Sequence, residues 1–227
     1  MGRCGENFIS VLDNDDISVF CAFDKDYNIF RAKAHKENVF AHLGFESIDT
    51  CVFMNQIHSN YVQIYNHNTE NFSCDGLITS YRNLALCVLS ADCLPLLLWH
   101  KSGIIAALHS GREGSFGNIL GVCVEAICEK NPHLNTDGFH LFIMPGICGR
   151  DYEIDGEILD FAKIYFSQFL NKKRLDLKAL VKSQAQDLGI QKITDLGICT
   201  YEDKKFYSYR LDKNPKRFAS VIVLKEK

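Results

Sequence analysis

No stretch of this 227-residue sequence approaches the roughly 18 apolar residues of a membrane span; the run Leu94 to Trp99 has the length of a strand. Charge of neither sign dominates. With 25 Lys and Arg against 28 Asp and Glu, the net charge is −3 at pH 7, so bulk charge recruits neither nucleic acid nor an anionic membrane. The basic residues of "RLDKNPKR" are interleaved with Asp212, the pattern of a solvated turn. The start "MGRCGENF" lacks the positive-then-apolar order of a secretory signal, and Glu6 stands where a myristoylation motif carries Ser or Thr. A cytoplasmic protein is expected. There is no CxxC pair, which excludes a zinc ribbon or a thioredoxin-like motif. Repeats, low-complexity tracts, a P-loop and a dinucleotide fingerprint are also missing.

What is present is an ordinary globular composition, 47% hydrophobic and 23% charged. The length favours one large domain over residues 1–227. Most of the ten cysteines lie in apolar runs such as "LALCVL" and "GVCVEAIC", where a thiol packs as a small hydrophobe. No disulfide is expected in a reducing compartment.

The segments "ISVFCAF", "CVFMNQIH", "NYVQIYN" and "DGLITS" read as extended, and "YNIFRAKAHKENVFAHLGF" holds a short helix closed by Gly44. "LALCVLSA", "LPLLLWH" and "GIIAALHS" are apolar on both faces, as in a sheet covered on both sides. Lys101-Ser102-Gly103 is a hairpin turn between the last two. Ile119, Val122, Cys123, Ala126 and Ile127 make one helical stripe, ended before Pro132. "FHLFIMPG" is a strand, "EILDFAKIYFSQFL" and "LDLKALVKSQAQDLG" are helical, and "ITDLGICT", "FYSYRL" and "FASVIVL" are strand or turn. Strands and helices mix without strict alternation. The expected fold is α/β in the broad sense, α+β, with a mixed central β-sheet and flanking helices.

"LSADCLPLLL" interrupts an apolar run with Ala91-Asp92-Cys93. A strand end with a packed thiol is one reading of the break; a site is the other. His58 in "QIHSN", Cys93 in "ADCLP" and His109 in "ALHSG" each stand at the end or break of an extended segment beside small residues. Two imidazoles and one thiolate form a zinc set that leaves a fourth position free, as catalytic sites do. The remaining histidines lie in polar or turn contexts. In "HSGREGSFGNIL", Gly111, Gly114 and Gly117 precede the amphipathic helix, so free N–H groups and Arg112 are placed to receive an anion. A turn that needs positive φ is the competing reading.

"NQIH", "DGLIT", "ADCLPLLL", "ALHSG" and "CTYEDKKFYSYR" occur in one order over residues 50 to 211. Together they resemble the laccase-domain family, once labelled multicopper polyphenol oxidase and associated with zinc-dependent purine nucleoside phosphorylase and adenosine deaminase activity. The resemblance implies Zn2+ on His58, Cys93 and His109, with nucleoside and phosphate as partners. Asn55, Gly111 and Arg112 stand as candidate substrate or phosphate contacts, and Asp92 and Cys93 as candidate catalytic residues, on their own positions in the sequence; the family's contacts at the departing positions do not carry over. Where the family reads G-W-R-G, this chain has Gly111-Arg112-Glu113-Gly114. Glu113 is therefore expected to face out and Arg112 in. The Gly- and Ser-rich N-terminal region of the family is not recognisable. Phosphorolysis calls for phosphate at the ribose C1′, deamination for hydroxide at purine C6. Asp92, a candidate proton carrier, points away from Cys93 if the segment is extended. Three other readings stand beside this one: a metal-free hydrolase with Cys93 as nucleophile and His109 as base, a cell-wall precursor editing factor, and a copper oxidase. The last is disfavoured by eight scattered histidines with no HxH pair.

Overall fold

A strand apolar at both odd and even positions must be covered on both faces. The computed structural model, which describes residues 5, 7–23, 40–68 and 71–226, meets that demand with two mixed sheets packed face to face. The first has the order β1 (Phe8–Asp13), β2 (Ile17–Ala22), β13 (Phe218–Leu224), β6 (Leu84–Ser90), β3 (Thr50–Phe53). Its strands pair antiparallel except β3 with β6. The second runs β12 (Lys192–Asp195), β9 (Phe139–Ile143), β7 (Leu94–His100), β8 (Ile104–Ser110), β5 (Gly76–Thr79), β4 (Val62–Ile64). Here β12 with β9 and β4 with β5 are the parallel pairs. A small hairpin, β10 (Leu170–Asn171) and β11 (Arg174–Leu175), stands apart.

Alternation along each strand divides the core. Leu97, Ile105, Ala107, Leu86, Val88 and Ile222 fill the space between the sheets. Leu94, Leu96, Leu98, Ala106 and Leu108 point the other way, toward helices. These are α2 (Ile119–Lys130), α3 (Gly156–Tyr165) and α4 (Leu177–Asp187), preceded by the short α1 (Arg112–Phe116). On the far side of the first sheet, Phe20, Ala85 and Val221 meet Phe40 and Ile48.

The mixed α/β class read from the sequence holds. Its strands divide between two mixed sheets, where the reading joined them in one, because the chain leaves the first sheet at the end of β6 and enters the second at the start of β7. Three local expectations change. The buried face of α2 uses Leu120 and Val124 with Ile119, Cys123 and Ile127, so Val122 and Ala126 only flank it. "EILDFAKIYFSQFL" gives up its α-helix at Tyr165 and continues as a 3-10 turn, Ser167–Phe169. "FYSYRL" forms a helical turn, α5 (Tyr209–Asp212), because the Ser208 side chain caps Leu211 N–H at 3.2 Å. The helix read in 27–45 lies largely outside the described residues; within them, a 3-10 turn Ala41–Leu43 ends at Gly44 with φ 86°.

Candidate metal centre

Ala91-Asp92-Cys93 is the corner where the chain passes from one sheet to the other. Asp92 holds it in the left-handed region, φ 96°, which Asp tolerates better than most residues. Its carboxylate accepts hydrogen bonds from Thr200 Oγ1 at 2.8 Å and Arg210 N–H at 2.7 Å. Its carbonyl accepts from Ile147 N–H at 2.8 Å. Asp92 thus binds the corner to the C-terminal segment, while Cys93 turns to the opposite side. Pro95 of β7 pairs with His109 of β8 in register, so the thiol and the imidazole meet at one sheet end.

Asp75 fixes both histidines. It is wholly buried. One carboxylate oxygen lies 2.8 Å from His109 Nδ1 and accepts His58 N–H at 3.1 Å. The other accepts Ser59 N–H at 2.6 Å, Ser59 Oγ at 2.8 Å and Ile57 N–H at 3.3 Å. Burial pushes this carboxyl up, but the hydrogen bonds from His109 and Ser59 prevail and hold it below its ordinary value. The contact leaves Nε2 of His109 for the centre. It also fastens the loop that carries His58, itself at φ 59°. Gln56 adds a second anchor: its amide donates to Leu89 O at 2.8 Å and accepts Leu89 N–H at 2.9 Å. The His58 loop is therefore tied to the end of β6, four residues before Cys93.

The ligand atoms of His58, Cys93 and His109 all lie within 4.8 Å of one another. The two rings stand 4.9 Å apart, nearly perpendicular. Burial raises the Cys93 thiol, but His109 and His58 outweigh it and bring it down to about 6. Burial lowers His109, and Cys93 with Asp75 overrides that to about 9. A thiolate beside two imidazoles, one fixed by a carboxylate, is a donor set suited to a Zn2+-class ion.

The glycines of the following turn serve packing. A Cβ on Gly111 would stand 3.0 Å from Cys93 Sγ and 3.7 Å from His58 Cδ2, so a side chain here would crowd the thiol. Gly114 fits between the carbonyls of His109 and Ser59, and Gly117 against Asn60. None of the three has positive φ. The N-terminus of α2 is capped by Asn118, which accepts Gly121 N–H at 3.0 Å. Arg112 pairs with Glu113 Oε1 at 2.7 and 2.9 Å; Glu113 is the more exposed of the two. The Arg112 guanidinium also meets the Tyr152 phenol, and Arg210 lies over the Tyr152 ring at 5.0 Å. Tyr152 senses the charges of Cys93, Arg112 and Arg210 together, so two cations flank one phenol next to the centre. Asn55 is exposed, on Ser73 Oγ at 3.2 Å. Asp75, Gln56, Tyr152 and Arg210 were not among the site residues read from the sequence. Asp75 is visible in the sequence as half of an Asp-Gly turn and as the first letter of "DGLIT", and Gln56 and Arg210 as letters within "NQIH" and "CTYEDKKFYSYR", none of them with a role in the site.

Two mixed sheets with a His–Cys–His centre at the crossing between them define the class of protein. Residues 24–225 match the family described as multi-copper polyphenol oxidoreductase laccase, and the chain belongs to it. A Campylobacter jejuni protein named purine nucleoside phosphorylase is 63% identical over 226 residues, a match that covers 100% of this chain and 100% of the relative. A Mycobacterium tuberculosis protein of the same name is 30% identical over 179 residues, 75% of this chain and 71% of the relative. Among solved structures, Bacillus licheniformis hypothetical protein YfiH matches with TM-score 0.82 at 20% identity, covering 99% of each chain. A Neisseria meningitidis protein matches with TM-score 0.80 at 20% identity over 97% of this chain and 100% of its own. Among the described residues, no helix is long and apolar enough to cross a membrane.

Proposed function

We propose that this chain is a Zn2+-dependent purine nucleoside phosphorylase. The observation that carries the reading is the Asp75-fixed set of His58, Cys93 and His109 beside two half-buried arginines, in a chain 63% identical to a protein named for that activity. His58, Cys93 and His109 would hold the Zn2+ ion, which would supply a Lewis acid. Arg112 and Arg210, on either side of Tyr152, receive phosphate and hold it for attack. A phosphate oxygen bonds to the ribose C1′. The C1′–N9 bond breaks, and its electron pair leaves with the purine. Asp75 keeps His109 in one tautomer throughout. In this reading Asp92 is a brace for Cys93 and carries no proton. Adenosine deamination would draw on the same centre at a different carbon: water adds at purine C6, the C6–N bond breaks and ammonia leaves, with the C1′–N9 bond intact. A reducing cytoplasmic setting suits the nine described free thiols.

The other chemistries are less well supported. A metal-free cysteine hydrolase needs one imidazole at its thiol, and here two lower the Cys93 pKa. A multicopper centre needs many histidines. Here His100 is committed to Ser102 and the Asn135 carbonyl, His140 to Thr194 and His67 to Tyr65.

Phosphate-dependent release of purine base by the purified protein tests the proposal. Arg112→Ala should raise the phosphate KM about tenfold, the equivalent of about 1.4 kcal/mol of anion binding, with metal content unchanged. An unaltered phosphate dependence would show that the anion is held elsewhere.

A further inference from the structure

A second group of ligating side chains lies outside the His58–Cys93–His109 set. β9 and β12 are parallel neighbours, so the segments that follow them emerge side by side. A bridge from Gly146 to Cys199 continues the pairing. It brings Cys148 Sγ to 2.9 Å from Cys199 Sγ. Asp151 Oδ2 stands 2.8 Å from the first sulfur and 3.4 Å from the second. With Glu202, all four ligand atoms lie within 4.8 Å of one another. The Cys148 N–H donates to Cys199 Sγ at 3.2 Å. Arg150 pairs with Glu202 at the solvent edge.

We propose that Cys148, Asp151 and Cys199, with Glu202 as the fourth ligand, form a second metal site for a thiophilic divalent cation of the Zn2+ class. Two thiols and a carboxylate oxygen already converge in one hydrogen-bonded cluster, and a cation in place of the shared protons converts that cluster into coordination. Zinc–sulfur bonds of about 2.3 Å in a tetrahedron hold two sulfurs nearly 4 Å apart. Binding therefore spreads the pair by about 1 Å, a movement that half-exposed Cys148 can make. The two thiol protons leave to solvent, and Glu202 exchanges Arg150 for the ion. Thiolate donors select Zn2+ over Mg2+ or Ca2+, and four protein ligands make a closed, structural site. A disulfide would need an oxidant, which the site does not supply. The site clamps the two segments that hold the Cys93 corner. Ile147, before Cys148, donates to the Asp92 carbonyl, and Thr200, after Cys199, donates to the Asp92 carboxylate.

Metal-stripped protein, kept reduced and titrated with Zn2+ or Co2+, tests this. Cys148→Ser and Asp151→Asn change half-exposed residues outside the proposed catalytic machinery. The wild type should bind one more ion per chain than either variant. That ion should give thiolate-to-cobalt absorption that Cys148→Ser weakens, and a zinc-dependent rise in Tm that both variants lose. Reading the count as a difference keeps the result independent of whether His58, Cys93 and His109 are filled. Equal ion counts in wild type and Cys148→Ser would overturn the proposal. So would two thiols recovered only by reductant with no second ion bound, which would identify a disulfide.

Discussion

Asp75 does more for the centre than any ligand does for itself. Its carboxylate accepts three backbone N–H groups and one hydroxyl, and holds His109 Nδ1. An amide of the same shape turns one acceptor into a donor, which meets N–H groups or the imidazole N–H. Asp75→Asn should therefore weaken Zn2+ binding 10- to 100-fold, read by competition with a chromophoric chelator. It should also cost about 1–3 kcal/mol of stability through donors left unpaired. Wild-type affinity in this variant would remove Asp75 from the account. His58, Cys93 and His109 were legible as a candidate ligand set because each ends an extended segment beside small residues and matches a family motif, and the structure brings their ligand atoms together. Asp75 was not: an Asp-Gly pair reads as a turn, and nothing in its spacing reports that the carboxylate is wholly buried with five contacts. The glycines after His109 suggested N–H donors for an anion. Their structural demand is space: at Gly111 beside Cys93 Sγ, at Gly114 between two backbone carbonyls and at Gly117 against Asn60.

At the scale of elements, the break in "LSADCLPLLL" is the crossing from β6 in one sheet to β7 in the other. The apolar strands were legible, and so was the need to cover both their faces. Their division between two sheets was not, because a run apolar on both sides packs equally well against helices or a second sheet. Leu97 is wholly buried in the same inter-sheet core as Val88 and Ile222. Leu97→Ala should cost about 2–5 kcal/mol in denaturant unfolding, whereas a loss under 1 kcal/mol would contradict the two-sheet core. Gln56 couples the His58 loop to the end of β6 by two hydrogen bonds to Leu89. Each is worth about 1 kcal/mol, so Gln56→Ala should lower stability by about 2 kcal/mol and loosen Zn2+ while leaving Cys93 in place. Unchanged stability and affinity would show that the loop is held by Asp75 alone.

Across the whole molecule, the sheets meet where the chain changes from one to the other, and the C-terminal segment closes that corner from outside. β13 sits between β2 and β6, and Arg210 just before it reaches Asp92 through its backbone and Tyr152 through its side chain. Residues more than a hundred positions apart thus assemble one centre, which no local motif displays. The central claim is that this centre, with its metal, cleaves purine nucleosides with phosphate. The direct measurement is product analysis of inosine or adenosine with phosphate, for protein stripped of metal, reloaded with Zn2+, and carrying Cys93→Ala. The account predicts free base and ribose 1-phosphate in equal amounts from the reloaded protein, and neither from the stripped protein or the variant. Ribose in place of ribose 1-phosphate, or equal turnover by the stripped protein, would contradict it.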